Sequence, residues 1–263
     1  MGFIVLPSIS AGTSKARIGY ENHLETASSV VATTEDADFP VANVYDWLTF
    51  DFFKPTGTGT TNIDATFAEP VTADYFAYYN QDLFNLSGII KLQYWDGLAY
   101  QNCFAAISPA DNSPQMKVFA AKTSDKWRVV VTCSSVFSLG CVSFGTHLAL
   151  QYGMYLGWTP PVLARDTQLV TSRSDGGAFL GRSVIAKGIK TDLILQYATD
   201  LWTRTYWTPL IKHIEQKPFF FMPNVEDYPT EAAYCWVEEA IPPPTHTHFG
   251  FMGTTIPIKG LVE

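Results

Sequence analysis

Charge is what this sequence has least of. Only 16 % of its residues are Asp, Glu, Lys or Arg, against about 25 % in an average soluble chain. With 14 % aromatic residues as well, it has surface to cover, because protein interfaces lose charge and gain Tyr, Trp and Phe. Basic residues are the scarcer sign, 17 against 25 acidic, for a net charge of −8. They form no Lys/Arg cluster, so the basic face that nucleic acid or an anionic membrane requires is not expected. No apolar run approaches the roughly 18 residues of a spanning helix, so membrane insertion is not expected either. The stretch from Met1 to Pro7 lacks a basic region and a cleavage site, so no signal peptide is expected.

Cysteine is also sparse and badly spaced for chemistry. Cys103, Cys133, Cys141 and Cys235 form no C-x-x-C pair and have apolar or small neighbours. Buried free thiols are the plain expectation, with a Cys133–Cys141 hairpin disulfide as the alternative. Nucleophile elbow, P-loop, H-E-x-x-H and strand-following G-x-G-x-x-G patterns are all missing, so neither an enzyme nor a cofactor is expected. Glu226, Asp227, Glu231, Glu238 and Glu239 lie close in sequence. Hydrolysis of a glycoside would need two carboxylates across a cleft, whereas acidic residues in turns are ordinarily solvated.

What is present is β pattern. The 263 residues suit one large domain or two ordinary ones. Residues 1–14 read as an apolar, then small-residue arm. From 15 to 156, short β-branched and aromatic runs alternate with turn signals: 75–79, 89–95, 117–120, 127–131 and 141–144. Asp96-Gly97 is a hairpin turn. Gly157-Trp158-Thr159-Pro160-Pro161 marks a boundary, which predicts that 15–156 folds alone. Beyond it, 157–263 carries strands at 167–172 and 183–189, parted by Ser174-Asp175-Gly176-Gly177. A helix is expected with Thr208 as N-cap and Pro209 at its first position, abutting a turn or helix over 200–206. Late strands follow at 219–221 and 234–237. The fold class is mostly β: a sandwich or jelly roll, then a C-terminal β-sandwich with one or two short helices.

Several landmarks carry a family resemblance. They are Phe39-Pro40-Val41-Ala42-Asn43-Val44-Tyr45-Asp46, Ile63-Asp64-Ala65-Thr66-Phe67 with Pro70-Val71, the Leu92–Tyr100 hairpin, Lys126-Trp127-Arg128-Val129-Val130, and Leu139–Gly145. In that order they resemble the discoidin-like, factor 5/8 type C, β-sandwich over about half the chain. The second unit, through Leu201-Trp202, Tyr206-Trp207-x-Pro209, Lys217–Phe221 and Glu231–Trp236, is similar to tail-tip and distal-tail proteins of tailed bacteriophages. That resemblance implies a structural protein of the virion, assembled in the bacterial cytoplasm. Its partners would be other tail or baseplate proteins and copies of itself in a ring hexamer or trimer. The alternative is a module binding a host-surface glycan or receptor.

Candidate sites follow from these readings. The discoidin-like resemblance places ligands at loops at one end of the sandwich, here Asp46, Trp47 and the 54–62 loop with Asn62. An exposed Trp47 would offer a flat face to a sugar, with Asp46 and Asn62 bonding hydroxyls; the competing reading is that Trp47 packs the core. Trp202, Tyr206, Trp207, Phe219, Phe220 and Phe221 are the candidate interface aromatics. His246 and His248 share a strand face and could meet one metal ion, but no third ligand is near, and a Thr/His loop is the plainer reading.

Overall fold

The computed structural model describes residues 15–154 and 157–262; the expected 1–14 arm lies outside them. Among the described residues, fourteen strands and one α-helix follow in order: β1 Arg17–Gly19, β2 Ser29–Ala32, β3 Gly59–Tyr78, β4 Ile89–Trp95, β5 Tyr100–Asn102, β6 Gln115–Cys133, β7 Val142–Gly145, β8 Leu148–Ala149, β9 Arg165–Arg173, β10 Phe179–Thr199, α1 Asp200–Ile214, β11 Phe219–Met222, β12 Ala233–Trp236, β13 Thr245–His248 and β14 Phe251–Leu261. The protein is mostly β, built on two antiparallel sheets.

The first sheet runs β2-β3-β6-β4-β5, with β7 added to the far end of β3. Period-two alternation sends Ile63, Ala65 and Phe67 of β3 inward and leaves Asn62, Asp64 and Thr66 on the other face. The register shifts between Thr66 and Val71 and again between Ala73 and Tyr75. A shift of one residue exchanges the faces, so further along β3 it is Phe76 and Tyr78 that join the same core. Trp127, Val129 and Val131 of β6 and Phe144 of β7 complete it. The Asp96-Gly97 turn forms as expected: Asp96 accepts from the Leu98 and Ala99 amides, both at 2.8 Å, and Gly97 takes φ 101°.

The second sheet runs β8-β1-β11-β12-β14-β10-β9, with β13 on β14. Strands β1 and β8 thus lie in the second sheet although they flank the first. One face takes α1, whose Leu210 and Ile214 pack with Ile189, Leu193, Ile256 and Ile258. The other face meets the first sheet: Phe220, Met222 and Tyr234 form a core with Trp47, Tyr75, Ala77, Tyr79, Met116 and Cys141. At this junction Gly19 cannot carry a side chain, because a Cβ would sit 2.5 Å from the Tyr75 ring.

The helix corrects the expectation at Thr208. It is continuous over Asp200–Ile214, capped by Thr199, whose hydroxyl accepts from the Trp202 amide at 3.3 Å, and Pro209 lies inside it. Thr-Pro imitates a helix start locally, but the apolar face from Thr203 through Leu210 to Ile214 carries the helix across it.

Strands β9 and β10 leave the sheet as a two-stranded ribbon closed by Ser174–Gly177. No residue from 167 to 187 is buried. The four cysteines are free thiols; Cys133, Cys141 and Cys235 are buried and Cys103 half-buried. Burial pushes the Cys103 and Cys141 thiols up to about 12, which disfavours the nucleophilic thiolate.

Candidate functional site

The loop expected to hold a ligand keeps its tryptophan inside the protein. Trp47 is only 5 % exposed, with its ring edge-on to His213 at 5.4 Å and near-parallel to Tyr234 at 6.4 Å. Its indole N–H donates to the Glu25 carboxylate, which also takes Lys217, and the Tyr234 hydroxyl donates to its carbonyl. Trp47 therefore plugs the junction of the two sheets, and its ring is closed to a sugar. Asp46 is exposed but accepts from the Leu48 amide, and partial burial, then the nearby Asp51, raises its carboxyl above the ordinary value. Asn62 lies in β3, opposite Val130 and bonded to Thr33, so it shares none of Trp47's partners.

Of the candidate interface aromatics, Phe219, Phe220 and Phe221 are internal, at 1 %, 0 % and 0 % exposure. β11 is covered on both faces, so neighbouring residues of the strand fill opposite cores. Trp202 and Trp207 are half-buried against α1's own core, and Tyr206 is 43 % exposed. His246 and His248 lie on the exposed β13, opposite Met252 and Phe251. Among the described residues, no group of three or more His, Cys, Asp or Glu is placed to hold a metal.

The outward face of the first sheet is where polar and aromatic groups converge. Alternation points Asp64 of β3, Arg128 of β6, Gln93 and Trp95 of β4, and Tyr100 and Asn102 of β5 away from the core. Register then aligns them: Asp64 opposite Arg128, Arg128 opposite Gln93, Gln93 opposite Asn102, and Trp95 opposite Tyr100. Arg128 donates Nε–H to Asp64 Oδ1 at 2.5 Å and Nη2–H to Oδ2 at 3.0 Å. The fork holds the guanidinium flat, 3.9 Å from the Tyr100 ring centroid, a cation–π distance. The Asp64 hydrogen bonds raise the Arg128 pKa further, so its charge is fixed. Trp95 meets Tyr100 edge-on at 5.2 Å, with Lys126 Nζ 5.8 Å from the indole. Gln93 donates to Asn102 at 2.8 Å. Lys91 shares this face, two residues from Gln93. The arrangement is an open platform of two aromatic rings, two side-chain amides, three cations and the Asp64 carboxylate, with Asp125 close to Tyr100.

Sequence reading placed Lys91, Gln93, Trp95 and Arg128 on strands and had Asp64 and Tyr100 only among the family landmarks; it singled out none of them, nor Asn102, as a site. The available signal was the alternate positions Gln93 and Trp95 before a tight turn. The cross-strand register that brings Arg128 beside them was not readable.

No family model and no curated protein matches the sequence. Among solved structures, a pectin-binding carbohydrate-binding module is similar at TM-score 0.38 and 13 % identity, over 45 % of this chain and 89 % of that one. The Clostridium perfringens module CpGH89CBM32-5, in complex with GalNAc-β-1,3-galactose, is similar at 0.39 and 12 %, over 44 % and 94 %. A family 32 module of AlyQ, in complex with 4,5-unsaturated mannuronic acid, is similar at 0.35 and 18 %, over 45 % and 94 %.

Proposed function

We propose that the chain is a non-enzymatic binding protein whose first sheet takes a glycan on its outward face. The observation that carries this reading is the convergence of Trp95, Tyr100, Arg128, Asp64, Gln93 and Asn102 on one open face. Sugars need flat apolar surface for their C–H faces and fixed donors and acceptors for their hydroxyls. Aromatic rings supply the first, and the Arg128–Asp64 fork with the Gln93–Asn102 pair supplies the second. Lys91, Lys126 and Arg128 outnumber Asp64 and the nearby Asp125, although the whole chain is acidic, so the favoured saccharide is anionic.

A single open site of this kind binds weakly, with Kd near about 1 mM, or roughly −4 kcal/mol. Titration of the full chain with neutral and uronate oligosaccharides tests the reading. Trp95→Ala and Arg128→Ala should each raise Kd about tenfold or more, and binding of the uronate should weaken with salt. Both substitutions lie outside the cores, so the melting temperature should hardly move. Unchanged saccharide binding in both variants would refute the assignment.

The second reading is a structural component of a phage tail tip in the virion. It is favoured by one observation: the exposed β9–β10 ribbon has the character of an assembly element.

A further inference from the structure

The β9–β10 ribbon is exposed in a way an isolated hairpin rarely sustains. A two-stranded hairpin is marginally stable alone in water, yet this one carries Leu169, Val170, Phe179, Leu180, Val184 and Ile185 at 44–66 % exposure. Its charge is also unlike the rest of the molecule. Residues 165–190 hold five basic and two acidic residues, which leaves 12 basic to 23 acidic elsewhere, from 17 and 25 in total. A basic, apolar arm thus projects from an acidic body.

The same molecule carries a groove of matching character. About 380 Å³ is enclosed by Met154, Trp158, Pro160, Leu163, Tyr228 and Glu231 among its lining. Leu163 and Tyr228 stand 71 % and 56 % exposed; Glu226 and Asp227 precede Tyr228 in sequence, and Asp227 accepts from Asn224 of the groove lining. Partial burial lifts the Glu231 carboxyl above its ordinary value, an unfavourable setting that an arriving cation would relieve. At the ribbon tip, Phe179 pairs across the strands with Arg173, and Arg182 follows three residues later.

We propose that the Phe179–Leu180 tip of one copy seats in the Trp158–Tyr228 groove of a second copy, with Arg173 and Arg182 facing Glu226, Asp227 and Glu231. A chain's own groove is out of reach of its tip. Leu163 in the groove lies two residues before the start of β9, and the nine residues Arg165–Arg173 carry the tip about 30 Å away at roughly 3.3 Å per residue. Tip and groove are different surfaces, so the contact is head-to-tail, and successive copies build a ring or an open chain. This inference stands apart from the glycan reading, since none of its residues lies on the Trp95–Arg128 face.

Light scattering across a concentration series of the full chain tests it. The wild type should self-associate beyond a dimer. Phe179→Asp at the tip and Tyr228→Ala with Glu231→Lys in the groove should each weaken association about 30-fold or more, the effect of losing a central anchor. Their melting temperatures report that folding is intact. The decisive measurement mixes the two variants. One retains a groove and the other a tip, so a 1:1 heterodimer that does not extend should form. A wild type that stays monomeric to its solubility limit, or a mixture without heterodimer, overturns the proposal.

Discussion

Trp47 illustrates how far a single residue's role depends on distant chain. The sequence shows a tryptophan beside an aspartate in a loop that mixes polar and apolar residues, a pattern that suits a binding loop as well as a plug. What decides is His213 of α1 with Phe220 and Tyr234 of the second sheet, whose placement no local pattern encodes. The residue even holds φ at 67°, a conformation bulky side chains adopt only when their surroundings fix it. Trp47→Ala should cost about 3–5 kcal/mol, the range for a large core aromatic; denaturant melts check this, and an unshifted midpoint would contradict the plug. Its neighbour His213 carries a pH dependence. Burial lowers its pKa below the ordinary 6.5, with Lys217 acting the same way and the Pro218 carbonyl and Glu25 opposing. The unfolded chain therefore binds that proton first as pH falls. Its contribution is intact above about 6.5 and is lost as pH drops through the lower folded value. His213→Gln should flatten this limb of the melting-temperature profile between pH 7 and 5.

At the scale of elements, alternation was legible and length was not. The runs at 117–120 and 127–131 each looked like a strand. They are two halves of β6, joined through Lys122–Lys126, where polar residues hide the continuity but the backbone stays paired with β3 through Val71–Ala73 and Thr66. The candidate platform depends on that pairing: Arg128 reaches Tyr100 only because β6 lies beside β4 and β4 beside β5. The helix was misplaced for a related reason, a strong local signal at Thr208-Pro209 overruled by packing. Pro209 lacks the amide that would bond the Thr205 carbonyl and is exposed. Pro209→Ala should therefore raise stability, by up to about 3 kcal/mol on intrinsic helix preference. A lower melting temperature would mean that the proline shapes a contact α1 needs.

For the whole molecule, the two sheets share a core rather than a linker. Tyr75, Ala77, Tyr79, Met116 and Cys141 of the first unit are buried partly by Phe220, Met222 and Tyr234 of the second. A fragment of residues 15–156 would leave that apolar face to water. It should melt well below the full chain and expose surface to a hydrophobic dye; an equal melting temperature would show that the first sheet needs no cover. The strand order has a mechanical corollary. Arg17 pairs with Met222, Phe220 with Tyr234, and Tyr234 with Leu261. Tension applied between the segment before β1 and the segment after β14 is therefore borne by three adjacent ladders of the second sheet. The first sheet hangs outside that load path, so its Trp95–Arg128 face would keep its geometry while the rest of the chain is pulled.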